Sequence, residues 1–138
     1  MQERIPAPRK AKPIPLLRRR TFCIRRGDQW LIEQRPAKGR WAGMWQFLTV
    51  PTDAAMPRER AGEQLAFRVA GLRFLGTVSH SLTHRRYEFE AFAGQLAHPR
   101  SALPLGPAQR WASLEQLDEL AMSRPQLTIA RLLRDEVA

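Results

Sequence analysis

Turn and breaker residues cut this chain into short pieces, and their spacing restricts it to a sheet of brief strands with few helices. Gly27-Asp28 separates two β-prone runs, Leu16 to Arg26 and Gln29 to Arg35, which read as an antiparallel hairpin. Pro36 cannot donate to a ladder and ends the second run. Ala37 to Gly43 then reads as a loop, and a third strand is expected from Met44 to Val50, closed by Pro51.

Beyond Pro51 the pattern changes once and then returns. Pro57 is expected to open a helix to Ala70, with Ala61, Leu65 and Val69 as an apolar stripe and Gly71 as its C-terminal cap. Leu72 to Ser79 and Arg86 to Leu96 read as two more strands joined by a polar turn. A proline-dotted loop spans His98 to Pro107. Arg110 to Ser113 is expected as a short strand and Leu114 to Leu120 as a helical turn. Ser123 caps a last helix through Val137 that turns Ile129, Leu132, Leu133 and Val137 inward. The order β-β-β-α-β-β-β-α predicts an α+β fold, a mostly antiparallel or mixed sheet packed by two helices.

Residues 1–15 hold four prolines and several charges with little to bury, so they read as a basic, extended arm; residues 16–138 form one domain. A net charge of +10 favours an anionic partner, nucleic acid first, although only Lys10, Lys12 and Lys38 among the basic residues are lysines. Cys23 is expected as a small buried hydrophobe. With no 18-residue apolar run and no apolar segment behind the basic N-terminus, no membrane span or secretory signal is expected. A cytoplasmic monomer is the expectation.

Two segments carry more than fold class. Gln34 to Phe47 contains Arg35-Pro36, then Gly39-Arg40-Trp41-Ala42-Gly43, then Met44-Trp45-Gln46-Phe47. Two glycines bracketing a tryptophan imply tight backbone around a large ring. Trp45 and Phe47 suit one buried face of a strand; Trp41 suits packing or contact with a ligand equally. The second segment is His80-Ser81-Leu82-Thr83-His84, followed by Arg85-Arg86. Without further context these histidines suit structural hydrogen bonds at strand ends, and the arginines a solvated face.

Together and in order, these segments resemble the C-terminal, Nudix-like domain of MutY-type adenine DNA glycosylases. The first matches that family's R-P-x-x-G-x-W-x-G-[LM]-W-x-F-P run, with Leu48 in place of the last proline; the second matches its H-x-[FL]-[ST]-H turn. Arg110-Trp111-Ala112-Ser113-Leu114 extends the likeness, which covers about residues 16–135. The resemblance implies a domain that reads 8-oxoguanine opposite adenine in duplex DNA. Leu82 takes the place of a wedge, usually Phe; Thr83 and His84 that of the groups meeting the altered base edge. His80, Ser81, Arg85, Arg86, Trp41, Arg40 and Lys38 are the further expected DNA contacts.

The same resemblance shapes what chemistry is expected. Family glycosylase activity and its iron–sulfur cluster belong to another, N-terminal domain, and one cysteine cannot supply four thiolates. No cofactor or metal is therefore expected in this chain, and a separate glycosylase domain is an expected partner. A Nudix pyrophosphatase needs helix carboxylates for Mg²⁺. Anchored on Gly71, those positions fall on Gln64, Leu65, Arg68 and Val69. The competing readings are a divergent hydrolase using Glu88 and Glu90, and a nonspecific basic scaffold.

Overall fold

The computed structural model describes residues 13–98 and 103–137. Most of the arm expected over residues 1–15 lies outside them; Pro13, Ile14 and Pro15 are exposed and outside any regular element. Six strands follow: β1 (Leu16–Arg26), β2 (Gln29–Gln34), β3 (Trp45–Pro51), β4 (Val69–Ser81), β5 (Arg86–Leu96) and β6 (Gln109–Ala112). Two α-helices close the chain, α1 (Leu114–Leu117) and α2 (Arg124–Val137). The strands form one mixed sheet in the order β4-β5-β1-β3-β2-β6.

Strand β1 is the axis of this sheet. It pairs in parallel with β5 from Leu16↔Arg86 to Arg25↔Gln95, and antiparallel with β3 from Arg19↔Pro51 to Phe22↔Leu48. The expected β1–β2 hairpin survives only at its turn, through Arg25↔Trp30 and Arg26↔Gln29. Beyond the turn β2 leaves for β3 and β6. Both faces of the sheet are covered, so Arg20 to Ile24 is buried without interruption rather than alternating.

Side-chain alternation sends Cys23 to one core and Phe22 and Ile24 to the other. The first core contains Phe47, Tyr87 and Phe89 and is covered by Ile129, Ala130 and Leu133 of α2. The second contains Leu31, Phe92 and Leu96, with Ala61, Leu65, Phe67 and Leu103 over it. Gln126 reaches across the first core. Its Oε1 accepts from the Phe47 backbone N–H at 3.1 Å, and its Nε2 donates to Thr49 Oγ1 at 3.3 Å.

The helix expected from Pro57 to Ala70 is not formed. A 3-10 helix spans Arg58–Gln64, Leu65 is extended, and β4 begins at Val69, three residues before the expected strand. Gly62 weakens a helix at mid-segment by about 1 kcal/mol relative to alanine. Tertiary partners complete the change: Arg20 Nη1 donates to Gln64 Oε1 at 2.9 Å, Gln64 Nε2 donates to the Pro51 carbonyl, and Val69 pairs with Leu96. Gly71, at φ +61°, serves an irregularity between Ala70 and Arg73 in the β4–β5 ladder rather than a helix cap.

Candidate nucleic-acid interface

The β3 entry loop and the β4–β5 hairpin come together at one end of the sheet. Hairpin pairing runs to Ser81↔Arg86, and Leu82 N–H donates to the Arg85 carbonyl at 2.7 Å, leaving Thr83 and His84 exposed at the tip. The opposing loop is pinned at its base by Arg35 N–H to the Met44 carbonyl and Gly43 N–H to the Pro36 carbonyl. Between these walls lies an open groove of about 800 Å³, lined by Gly39, Arg40, Trp41, Leu82, Thr83, His84 and Arg85. Two motifs forty residues apart thus share one concavity.

Trp41 joins the walls. It has φ 56°, uncommon for a residue with a Cβ, between Gly39 at φ 95° and Gly43 at φ 72°. This backbone lays the indole 4.9 Å from the Tyr87 ring, 5.8 Å from His80 and 6.1 Å from Phe89, between ring centroids. Leu82 packs against the same core and is half-buried. The alternatives open for Trp41 are therefore not exclusive: its ring packs on the hairpin and also borders the groove.

Of the ten expected contact residues, Arg40, Trp41, Leu82, Thr83, His84 and Arg85 line the groove. His80 lies on β4 against Trp41 and is tied to the site through it. Ser81 and Arg86 are the exposed pair that closes the hairpin ladder, and Lys38 is exposed on the loop; none of the three lines the groove. Gly39, one of the two glycines expected to tighten the backbone around Trp41, lines the groove wall. Sequence reasoning passed over one support: Tyr87, buried one residue after Arg86, carries the Trp41 ring. Alternation with Phe89 was the available signal for Tyr87.

The other half of the molecule bears on hydrolysis. Arg20, almost fully buried, donates to Glu90 Oε1 at 3.0 Å and to the Met56 carbonyl at 2.6 Å. Arg58 holds the second oxygen of Glu90 at 2.8 Å and lies over Phe74. Burial raises the Glu90 carboxyl, but the hydrogen bonds from Arg58 and Arg20 outweigh it and hold that carboxyl below the usual range. Glu88 faces Arg18 at 3.3 Å. Among the described residues no three His, Cys, Asp or Glu side chains group to hold a metal ion. The donor set at the expected Mg²⁺ positions, with an amide, two apolar residues and a cation, does not fit that ion.

A split mixed sheet, helix α2 on one face and a short segment over the other define a NUDIX-type domain. The family model described as NUDIX domain matches residues 20–132, and the chain belongs to that family. Within it, the chain is similar to adenine DNA glycosylase of Homo sapiens, 28% identical over 117 residues, which are 80% of this chain and 21% of that protein. The Mus musculus adenine DNA glycosylase is also 28% identical, over 79% of this chain and 22% of its own length. The chain thus spans about a fifth of the curated relatives it matches.

Solved structures share the fold. The C-terminal domain of mouse MUTYH, determined in complex with human PCNA, superposes with TM-score 0.68 at 21% identity, covering 87% of this chain and 88% of that one. The E. coli ORF135 protein gives TM-score 0.69 at 16% identity, over 91% and 93% of the two chains. The likeness to adenine DNA glycosylases drawn from the two motifs thus extends in sequence over 117 residues.

Proposed function

We propose that this domain is a lesion-recognition module that binds duplex DNA carrying 8-oxoguanine opposite adenine and takes no catalytic part itself, acting beside a glycosylase domain. One observation carries the reading: the groove gathers the Gly39–Trp41 and Leu82–Arg85 segments, the two that match the family of adenine DNA glycosylases. Oxidation of guanine at C8 adds a carbonyl oxygen and turns N7 from acceptor to N–H donor. A hydroxyl and an imidazole, exposed side by side on Thr83 and His84, offer the complementary donor and acceptor. Arg40 and Arg85 on opposite walls suit the flanking phosphates. The non-catalytic part is supported by the carboxylates: Glu88 and Glu90 are engaged by arginines, and the Nudix-box positions carry no acid.

The test is binding to matched duplexes with 8-oxoguanine or guanine opposite adenine across a salt series. The wild-type domain is expected to prefer the lesion at every salt concentration. Thr83→Ala with His84→Ala is expected to erase that preference and leave salt-dependent general binding. Undiminished discrimination by the double variant refutes the site, and release of phosphate or pyrophosphate from 8-oxo-dGTP with Mg²⁺ refutes the non-catalytic reading.

A further inference from the structure

Two sets of arginines stand out among the described residues. Arg18, Arg20, Arg58, Arg60, Arg73 and Arg134 are paired with carboxylates. Arg25, Arg26 and Arg110 have no carboxylate or hydrogen-bond acceptor for their side chains among the described residues. Each instead lies on an indole: Arg26 is 4.3 Å from the Trp111 centroid, Arg110 4.5 Å from Trp45, and Arg25 5.9 Å from Trp30. Trp30 is buried, while Trp45 and Trp111 pack against the first and second cores.

We propose that Arg25, Arg26 and Arg110 form a second, sequence-independent phosphate-binding patch for duplex DNA, separate from the groove. An arginine stacked on a ring is held in place by its flat face, so its N–H edges stay free and prealigned for a phosphate. Arg25 and Arg26 are neighbours on β1 and stack on tryptophans of opposite cores, so the patch wraps the end of the sheet. The unbroken β1–β5 ladder, from Leu16↔Arg86 to Arg25↔Gln95, separates Arg25 and Arg26 from the hairpin tip, while Arg110 lies on Trp45, four residues after the groove's Trp41. At about 3.3 Å per residue the ladder runs roughly 30 Å along the strands.

A polyanion fits this patch better than a protein surface. Among the described residues the exposed large apolar ones are Ile14, Leu16, Phe74, Leu127 and Val137, and none is on β2, β6 or the β1–β2 turn. A protein interface centres on exposed apolar side chains, and at this end the apolar surface is confined to the partly buried Trp45 and Trp111, each already covered by an arginine. The proposal rests on duplex DNA as the partner and is independent of lesion recognition.

The experiment measures fluorescence anisotropy of an undamaged duplex of about 24 base pairs, longer than the roughly 30 Å separation at 3.4 Å per step. Arg25→Gln, Arg26→Gln and Arg110→Gln combined are expected to lower the slope of log K against log salt by about 2–3, in proportion to the phosphates released. The ratio of affinities for damaged and undamaged duplex stays at its wild-type value. The corresponding triple lysine variant keeps the charges and is expected to keep the slope. Should the glutamine triple fail to fold, Arg26→Gln alone is expected to lower the slope by about 1. Wild-type affinity and slope in the folded glutamine variants overturn the patch, whichever way the lesion preference falls. A lowered slope in a domain without lesion preference overturns the lesion reading and leaves the patch standing.

Discussion

Replacing Trp41 with alanine removes the ring that ties the groove's two walls together, and its consequences can be worked from the contacts. Full truncation of a buried large aromatic costs about 3–5 kcal/mol. Trp41 is half-buried, so a cost at or below the bottom of that range applies. The Tyr87 ring at 4.9 Å is a close aromatic partner, and His80 at 5.8 Å and Phe89 at 6.1 Å are weaker ones. A loss of about 2–3 kcal/mol follows, or roughly 7–10 °C in Tm for a domain of this size. Alanine keeps a Cβ in the left-handed region, so it gains no relief from the 56° φ. Glycine does, by roughly 1–2 kcal/mol. At an ordinary position glycine is less stable than alanine by about 0.5–1 kcal/mol, so the expected order is reversed here. Urea unfolding of wild type, Trp41→Ala and Trp41→Gly measures both effects, and duplex binding by the same proteins measures lesion preference. Trp41→Ala is expected to lose most of that preference while still folded. A cost under about 1 kcal/mol, or a Trp41→Gly variant clearly weaker than Trp41→Ala, refutes the reasoning about the ring or its backbone.

Two further outcomes follow from the core. Glu90→Gln leaves Arg20 buried without its counter-charge, and with Gln64 and the Met56 carbonyl still bonded the expected loss is about 2–3 kcal/mol near neutral pH. The Glu90 carboxyl is held below its usual range, so its stabilisation is present above the unfolded carboxyl pKa and lost as pH falls through the lower folded value. Denaturation midpoints of Glu90→Gln and wild type should therefore draw together as pH falls through and below the usual carboxylate range, and a gap that does not narrow in acid counts against the ion pair. Gly94→Ala drives a Cβ into Val69 Cγ1 and places it 3.2 Å from the Ala70 carbonyl oxygen. A loss of about 1–3 kcal/mol in thermal unfolding is expected, partly restored by adding Val69→Ala; a neutral Gly94→Ala refutes the tight β4–β5 packing.

The strand pattern was legible because it depends on local chemistry. Leu16–Arg26 and Arg86–Leu96 occupy the spans that their β-prone runs and flanking turns implied. Ser113 and Gln116 form a reciprocal capping box at α1, and of the four residues expected to face inward α2 buries Ile129 and Leu133, half-buries Leu132 and leaves Val137 in its last turn exposed. Six of the groove's seven lining residues were expected contacts and the seventh, Gly39, lies in the first motif segment, since a resemblance in sequence brings with it the positions that match.

Pairing, burial and partnership were decided elsewhere. Nothing local tells Leu16–Arg26 to take β5 as a parallel neighbour in preference to β2 across a two-residue turn. That choice follows from burying both faces of β1 at once. Residues 57–70 carry a helical stripe, but Gln64, Leu65 and Val69 each find a better partner in the sheet or the core, and the helix gives way to a 3-10 turn and a strand. The fate of the arginines is also tertiary: the same residue type neutralises Glu90 in the core at Arg20 and lies on an indole at Arg26. Sequence alone determined which residues prefer extended backbone, where the chain must turn and which family it resembles. Only the folded chain decided which charges are spent inside, because that depends on which groups lie within a few ångströms once distant segments meet.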